Sequence, residues 1–375
     1  MQAPHSAKIP PEALPRSDAA RLDWLRLARS RRVGPATFIR LVREFGSAEA
    51  ALAALPGIAA EAGAEGYAPC PRGVAAAEIE AGLAAGAEPL LLGAAGYPPL
   101  LATIADPPPF LWALGDPALA ARPGVALVGA RNASALGMRM AAQLAGELGA
   151  AGLVVVSGLA RGIDASAHRA ALATGTIAAQ AGGIDVVYPE ENAGLAAEIA
   201  AGGLRLSEMQ PGHAPRAQDF PRRNRIVSGL ALGVIVVEGA LRSGSLITAR
   251  DAADQGREVM AVPGNPMDGR AGGCNQLIRD GATLVRSAAD VLEALAEFLP
   301  VRRPMPAPAA PLPEPARLDG LAERLCALLG PSPVAEDLLI RDLARPAAAV
   351  AAALLELEMQ GRVLRHPGGL VSLTV

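Results

Sequence analysis

Residues 125–136 read Val125-Ala126-Leu127-Val128-Gly129-Ala130-Arg131-Asn132-Ala133-Ser134-Ala135-Leu136. Four apolar residues run into a glycine turn and then into a helical stretch at 138–148. An apolar run of strand length, with no polar alternation, has both faces buried, as in a parallel sheet covered by helices. The pattern recurs at residues 153–156, 176–179, 233–237, 258–262 and 283–285, with helical stretches at 164–172, 246–254 and 275–280 between most of them. Over residues 110–298 this alternation predicts an α/β domain, Rossmann-like and doubly wound, with a mostly parallel sheet.

Working outward toward the N-terminus, residues 76–109 read as a connector ending in Pro107-Pro108-Pro109. Residues 18–75 read as short helices joined by glycine turns. Asp18 caps the first, which carries Leu22, Leu25 and Leu27; Gly34-Pro35 opens a second with Phe38, Leu41, Val42 and Phe45. Gly46-Ser47 stops it, and residues 48–55 begin a third before Pro56-Gly57. A helical module of this helix-hairpin-helix or SAM-like kind serves either as a DNA-backbone contact or as a small packing domain. Residues 1–17 read as a disordered lead. Toward the C-terminus, residues 299–316 form a Pro/Ala-rich linker. Residues 317–375 then read as a winged helix: helices at 318–329, 334–343 and 347–360, and two strands, 363–366 and 370–373, around Pro367-Gly368-Gly369.

Composition removes several classes of function. With 34 Lys plus Arg against 37 Asp plus Glu the net charge is -3, so an anion site must be a local cluster. Lys8 is the only lysine, which excludes a P-loop and the lysine Schiff-base enzymes. The three cysteines are far apart and the four histidines form no HxxxH pair, so neither structural zinc nor a disulfide framework is expected. No run reaches the roughly 18 apolar residues of a membrane span, the best candidate being interrupted by Glu88 and several prolines, and residues 1–17 lack a signal-peptide core. The chain reads as a protein of a reducing, cytoplasmic compartment.

In an open parallel sheet, ligands bind beyond the carboxyl ends of the strands. The first turn there, Gly129 to Ser134, has Arg131 where a dinucleotide fingerprint needs glycine, so NAD or FAD is disfavoured and a phosphate fork is offered instead. No cofactor is expected. The second turn, Ser157-Gly158-Leu159-Ala160-Arg161-Gly162-Ile163-Asp164, offers free amides or is simply a tight strand-to-helix turn. The third, Arg242 to Thr248, reads as an anion-binding helix start with Ser243 and Ser245 as hydroxyl donors, and Pro263-Gly264-Asn265-Pro266 closes a fourth strand end. Four small polar turns on one rim suggest a phosphate-binding cleft.

The strongest local signal is Phe220-Pro221-Arg222-Arg223-Asn224-Arg225. Clustered guanidiniums suit repeated phosphates, and Phe220 offers a face for an unpaired base; the competing readings are a solvated helix end and a core phenylalanine. Signals for catalysis are thin. His168 reads as a packing residue, and Glu208 and Glu238 as acid–base groups or as ion-pair partners of the arginines. The winged-helix block is close to neutral, and its third helix carries Glu356 and Glu358 without an arginine, which disfavours duplex reading.

Together these motifs resemble the DNA processing protein A family (DprA, also called Smf). The resemblance rests on Val128-Gly129-Ala130-Arg131, the Ser157–Asp164 turn, Gly182-Gly183-Ile184-Asp185-Val186-Val187-Tyr188-Pro189, Phe220 to Ile226, Glu238 with Arg242 to Thr248, and Ala261-Val262-Pro263-Gly264, in the family's order. It implies a non-enzymatic binder of single-stranded DNA that protects incoming strands in natural transformation, helps load the RecA recombinase and dimerises through its Rossmann-like domain. It also implies phosphate contacts from Arg131, Arg222, Arg223 and Arg225, a groove floor at Ser157 and Gly158, and a loop-fixing role for Asn224. Gln180 departs from the family's apolar stretch, and arginine must stand for the family's groove lysines. Two other classes compete: a phosphoribohydrolase-type nucleotide enzyme, whose PGGxGTxxE signature is absent, and a winged-helix duplex regulator.

Overall fold

The computed structural model describes residues 9–299, 320–343 and 345–374. They fall in two compact units, one within Met1–Pro300 and one within Val301–Val375.

The first unit opens with α1 (Asp18–Arg29), α2 (Pro35–Phe45), α3 (Ala48–Glu61) and α4 (Arg72–Ala84). The cap of α1 is Ser17, whose hydroxyl accepts from the Ala20 amide, and Asp18 lies inside the first turn. Gly46, at φ 75, ends α2 in the left-handed conformation that glycine adopts without strain. Pro56 does not stop α3, which continues through it to Glu61. Of the residues expected as a disordered lead, Ile9 and Ala13 are buried in the main core, and residues 1–8 lie outside the described residues. The expected connector is also structured, since it holds most of α4 and the strand β1 (Glu88–Leu91). The core of the helical module is continuous with that of the sheet. Trp24 meets Phe38 edge-on at 4.8 Å and donates its indole N–H to the Pro109 carbonyl at 2.9 Å.

The remainder of this unit follows the alternation read from sequence: β2 (Phe110–Gly115), β3 (Gly124–Val128), α5 (Ala135–Ala150), β4 (Val154–Ser157), α6 (Ile163–Ala171), β5 (Thr176–Gln180), α7 (Ala193–Gly202), β6 (Leu204–Ser207), α8 (Asp219–Gly229), β7 (Gly233–Val236), α9 (Gly244–Asp254), β8 (Glu258–Ala261), α10 (Gly272–Arg279), β9 (Thr283–Leu284) and α11 (Ala288–Ala294). Among the described residues they form one sheet in the order β1-β2-β6-β5-β4-β3-β7-β8-β9. The pairs from β6 to β9 are parallel; β1–β2 and β2–β6 are antiparallel. The winding reverses between β3 and β7. Helices on opposite faces diverge at such a point and leave a crevice beyond the strand ends. Gln180 ends β5 inside the protein, where its Oε1 accepts from the buried Arg205 at 3.1 Å.

The second unit comprises α12 (Leu321–Leu328), β10 (Val334–Ala335), α13 (Glu336–Leu343), α14 (Ala347–Met359), β11 (Val363–His366) and β12 (Leu370–Leu373), with strand order β10-β12-β11. This is the winged-helix outline, built on Leu325, Leu339, Leu354, Leu357 and Val371. The linker expected at 299–316 lies, apart from Leu299, outside the described residues.

Glu78 on α4 ties the helical module to the sheet. It accepts from Arg29 Nη2 at 2.7 Å, from Arg29 Nε at 2.9 Å and from the Trp112 indole at 3.2 Å, and is itself almost wholly buried. Glu78→Ala leaves a half-buried guanidinium and a buried indole N–H without their acceptor. The expected loss is about 3–5 kcal/mol of unfolding free energy in a denaturant titration; a loss below about 1 kcal/mol shows that Glu78 is dispensable to the junction.

Candidate functional site

Beyond the carboxyl ends of β3, β4 and β7 lies a cleft of two lobes that share Arg131, Asn132, Ala160, Phe220 and Arg223. The inner lobe, about 350 Å³, adds Gly158, Arg161, Tyr188 and Pro189. The outer lobe, about 790 Å³, adds Arg242, Ser243, Ser245, Thr248, Asn224 and Arg270 among others. Five arginines and one carboxylate, Asp164, line the combined cleft. Arg161 and Arg270 are paired with Glu191 and Asp268 at its edge, and Arg131, Arg223 and Arg242 have no ion-pair partner within 4 Å among the described residues, so a chain of net charge -3 carries a cationic patch here.

Arg131 leaves the turn after β3 and lays its guanidinium over the Phe220 ring, 4.7 Å from the centroid. Tyr188 stands on the same ring, with centroids 5.7 Å apart and planes inclined by 58°. Tyr188 is 50% exposed, so an aromatic face is left open to the inner lobe. Stacking holds the Arg131 fork in place without neutralising it, since among the described residues no carboxylate pairs with it. Glu238 braces the turn that carries Arg131: it accepts from the Ser134 amide at 2.9 Å and from the Ser134 hydroxyl, which in turn accepts from the Gly137 amide at 2.9 Å. Glu238 is thus a brace of this turn, and among the described residues no arginine is ion-paired with it.

Arg223 enters from α8 and is only 7% exposed. Its guanidinium lies across Gly158: a Cβ there would sit 1.2 Å from Arg223 Nη1. Burial lowers the Arg223 pKa from the ordinary guanidinium value, a shift opposed by the charge of Asp164. Among the described residues its buried Nε has no hydrogen-bond partner. Asp164 is also buried, and desolvation raises its carboxyl above the usual range against the pull of Arg223.

Of the two sequence readings of the turn after β4, free amides are not found at Gly158, Leu159 or Ala160. Asp164 Oδ2 accepts from Gly158 at 3.1 Å and from Ala160 at 3.4 Å. The Leu159 amide donates to His168 Nε2 at 3.3 Å, and its carbonyl accepts from Asn192 at 2.9 Å. These bonds hold Leu159 at φ 57, a left-handed conformation that a branched side chain rarely adopts unaided. His168 is thus a structural residue, its Nδ1 paired with Thr176 Oγ1 at 2.7 Å. Ser157 does not form the floor either: it is wholly buried and donates to the Leu127 carbonyl at 2.6 Å. Gly158 does line the inner lobe.

Helix α8 splits the arginine cluster. Successive helical residues are rotated by about 100°, so Arg222, Arg223, Asn224 and Arg225 face different neighbours. Arg222 is exposed in a separate groove with Arg29, Gln210 and His213. Asn224 lines the outer lobe and donates to the Gly244 carbonyl at 3.4 Å, which ties α8 to α9. Arg225 turns away from the cleft to Glu208, at 2.7 Å and 2.8 Å, and to the Asp106 carbonyl at 2.6 Å. Ser243 caps α9, its Oγ 2.7 Å from Ser245 Oγ, and both line the outer lobe. The fourth turn is not among the lining residues; Asn275 closes it by bonding both the amide and the carbonyl of Gly264. Sequence reasoning missed Asn132, Arg161, Tyr188, Arg242, Thr248 and Arg270 as site residues. Five of them, Asn132, Arg161, Tyr188, Arg242 and Thr248, stand inside motifs already quoted, which is the available signal.

Fold and cleft define a Rossmann-like protein with a cationic, aromatic-walled site at its topological switch point. The family model DNA recombination-mediator protein A matches residues 89–296, a DprA-like N-terminal HHH domain matches 18–81, and a DprA winged helix domain matches 306–369. The chain belongs to the DNA processing protein A (DprA/Smf) family. It is 49% identical over 178 residues to DNA processing protein DprA of Streptococcus pneumoniae, a match covering 47% of this chain and 62% of the relative. It is 40% identical over 252 residues to protein Smf of Escherichia coli, covering 66% of this chain and 67% of that one. The chain thus spans about three fifths of the length of the pneumococcal relative. Among solved structures, DprA from Streptococcus pneumoniae aligns with a TM-score of 0.56 at 41% identity, covering 60% of this chain and 77% of that one. DNA processing protein A from Helicobacter pylori, described for its single-stranded DNA binding mode, aligns with a TM-score of 0.53 at 30% identity, covering 58% and 99%.

Burial holds the His168 pKa at about 3, against 6.5 ordinarily. Between those values the unfolded chain binds a proton that the folded chain does not, so stability falls as pH drops through that window. The slope approaches about 1.4 kcal/mol per pH unit. Denaturant titrations across the window are expected to show a shallower acid loss in His168→Gln, which keeps an acceptor and a donor without titrating. Parallel pH profiles for the two proteins contradict a neutral, sealed His168.

Proposed function

We propose that the cleft binds single-stranded DNA. The observation that carries this reading is the stack of Arg131 on Phe220, with Tyr188 against the same ring, set among four further arginines at the strand ends. Guanidiniums at this density suit a ligand with one phosphate per repeating unit. Exposed aromatic faces suit bases whose own faces are free, which a duplex does not offer. The family membership supports the reading, as does the binding mode described for the Helicobacter pylori relative.

On this reading the protein is a binder and not an enzyme. His168, Asp164, Glu208 and Glu238, the groups that could move protons, are each held by internal partners. The protein covers incoming single strands in the cytoplasm, acts as a homodimer, and passes strands to the RecA recombinase in transformation and recombination. The duplex-regulator alternative fares worse. Helix α14 carries Glu356 and Glu358, and Arg365 of the wing is engaged by Glu336 at 3.4 Å and Glu358 at 3.1 Å. Among the described residues no helix is long and apolar enough to cross a membrane.

Fluorescence anisotropy of labelled oligo-dT across a salt series separates the roles. Arg131→Ala is expected to lower the magnitude of the salt slope by about 0.7, the value for one lost single-strand phosphate contact. Phe220→Ala is expected to weaken binding by about 1–3 kcal/mol per lost stacked base and, because Arg131 loses the ring that holds it, to lower the slope as well. Arg225→Ala is expected to lower stability and to leave the slope intact. Tighter binding of a duplex, or oligo-dT affinity indifferent to Arg131 and Phe220, overturns the assignment.

A further inference from the structure

The inner lobe has a composition that an internal stretch of DNA does not fully account for. Arg131, Arg161 and Arg223 line it, and no carboxylate is among the residues that do. Arg223 is nine-tenths buried, with an Nε that has no partner among the described residues. Orphaned buried donors are rare in folded proteins and call for an explanation. Arg161 is paired with Glu191 at 3.0 Å, but both side chains are more than half exposed, so solvent screens the pair and a stronger anion can replace it.

We propose that this lobe is a site for a nucleoside phosphomonoester: a free nucleoside monophosphate, or the phosphorylated end of a strand. For the path of the adjoining strand the proposal rests on the single-strand reading above. An internal phosphodiester brings one negative charge, whereas a phosphomonoester carries about -1.5 to -2 near neutral pH. Three guanidiniums around one lobe match the second better than the first. The lobe's 350 Å³ lies near the lower end of small-ligand pockets, about 300–1,000 Å³. A monoester seated on Arg223 and Arg131 leaves the open face of Tyr188 for the base, with the Asn132 amide as donor and acceptor for the base edge. Because Arg131 and Phe220 also line the outer lobe, a nucleotide held here competes with any strand that crosses both.

Competition anisotropy tests the proposal, with labelled oligo-dT as tracer and thymidine monophosphate, thymidine or inorganic phosphate as competitors. In parallel, direct titrations compare short oligo-dT with and without a terminal phosphate. Thymidine monophosphate is expected to displace the tracer at concentrations where thymidine and phosphate do not. The terminally phosphorylated oligomer is expected to bind about tenfold tighter, the worth of one charge-assisted contact. Competition without an end effect assigns the lobe to free nucleotides, and an end effect without competition assigns it to strand ends; either supports the proposal. Arg161→Ala changes an exposed side chain that lines the inner lobe alone, so the fold survives; it is expected to erase the effect while long oligo-dT, which also crosses the outer lobe, still binds, whereas Tyr188→Ala is expected to erase the effect and to weaken oligo-dT as well. The proposal is overturned if oligo-dT binds with neither effect, which leaves the single-strand reading intact, or if inorganic phosphate competes as well as the nucleotide. Should oligo-dT fail to bind at all, calorimetric titration with thymidine monophosphate decides: binding there upholds the lobe and sinks the strand reading, and its absence sinks both.

Discussion

A buried guanidinium lying on a glycine organises the cleft. Arg223 reaches from α8 across Gly158 to the neighbourhood of Asp164, where no side chain larger than hydrogen at position 158 leaves room for it. The amides around Gly158 are turned inward onto Asp164, and His168 and Asn192 hold the intervening Leu159 in its left-handed conformation. The turn after β4 is thus a socket for an arginine, and the anion-binding capacity moves from backbone amides to the guanidinium that occupies it. Neighbouring residues of α8 extend the same principle, with Asn224 fastened to α9 and Arg225 to Glu208 and Asp106. One short helix is thereby fixed against three parts of the fold, and Phe220 is carried to the place where Arg131 can stack on it.

Much of the fold was legible because parallel strands buried on both faces are written as uninterrupted apolar runs. The strands at 124–128, 154–157, 176–180 and 233–236 were recognised within a residue or so on that ground. The antiparallel side was not. In β6, Leu204-Arg205-Leu206-Ser207, a buried arginine disguises the strand, and its partners Gln180 and the Ile184 carbonyl come from another strand and a later turn. The run from Phe110 to Gly115, which is β2, marks in the sequence only the start of the domain.

The site was legible as a list of residues and not as an arrangement. Four consecutive positions from Arg222 to Arg225 read as one cationic cluster, yet helical rotation sends them to a separate groove, the cleft, the next helix and an internal ion pair. Free amides stay open beside a plain tight turn after β4 in the sequence reading, because nothing in sequence shows that Asp164 and His168 point back at the turn and consume them. Tyr188 was visible only as part of a motif; its pairing with Phe220 joins residues more than thirty positions apart. Charge concentrated in one crevice of an otherwise slightly acidic chain also favours steering of a polyanion toward that crevice over coating of the whole surface.

The most direct test of the central claim is photocrosslinking of an iodouridine-substituted single strand, followed by mass-spectrometric mapping of the attached residues. If unpaired bases stack in the cleft, crosslinks concentrate on Phe220 and Tyr188, and excess unlabelled oligo-dT removes them. Crosslinks confined to the helical module or to the winged helix, with Phe220 and Tyr188 unmodified, contradict the claim.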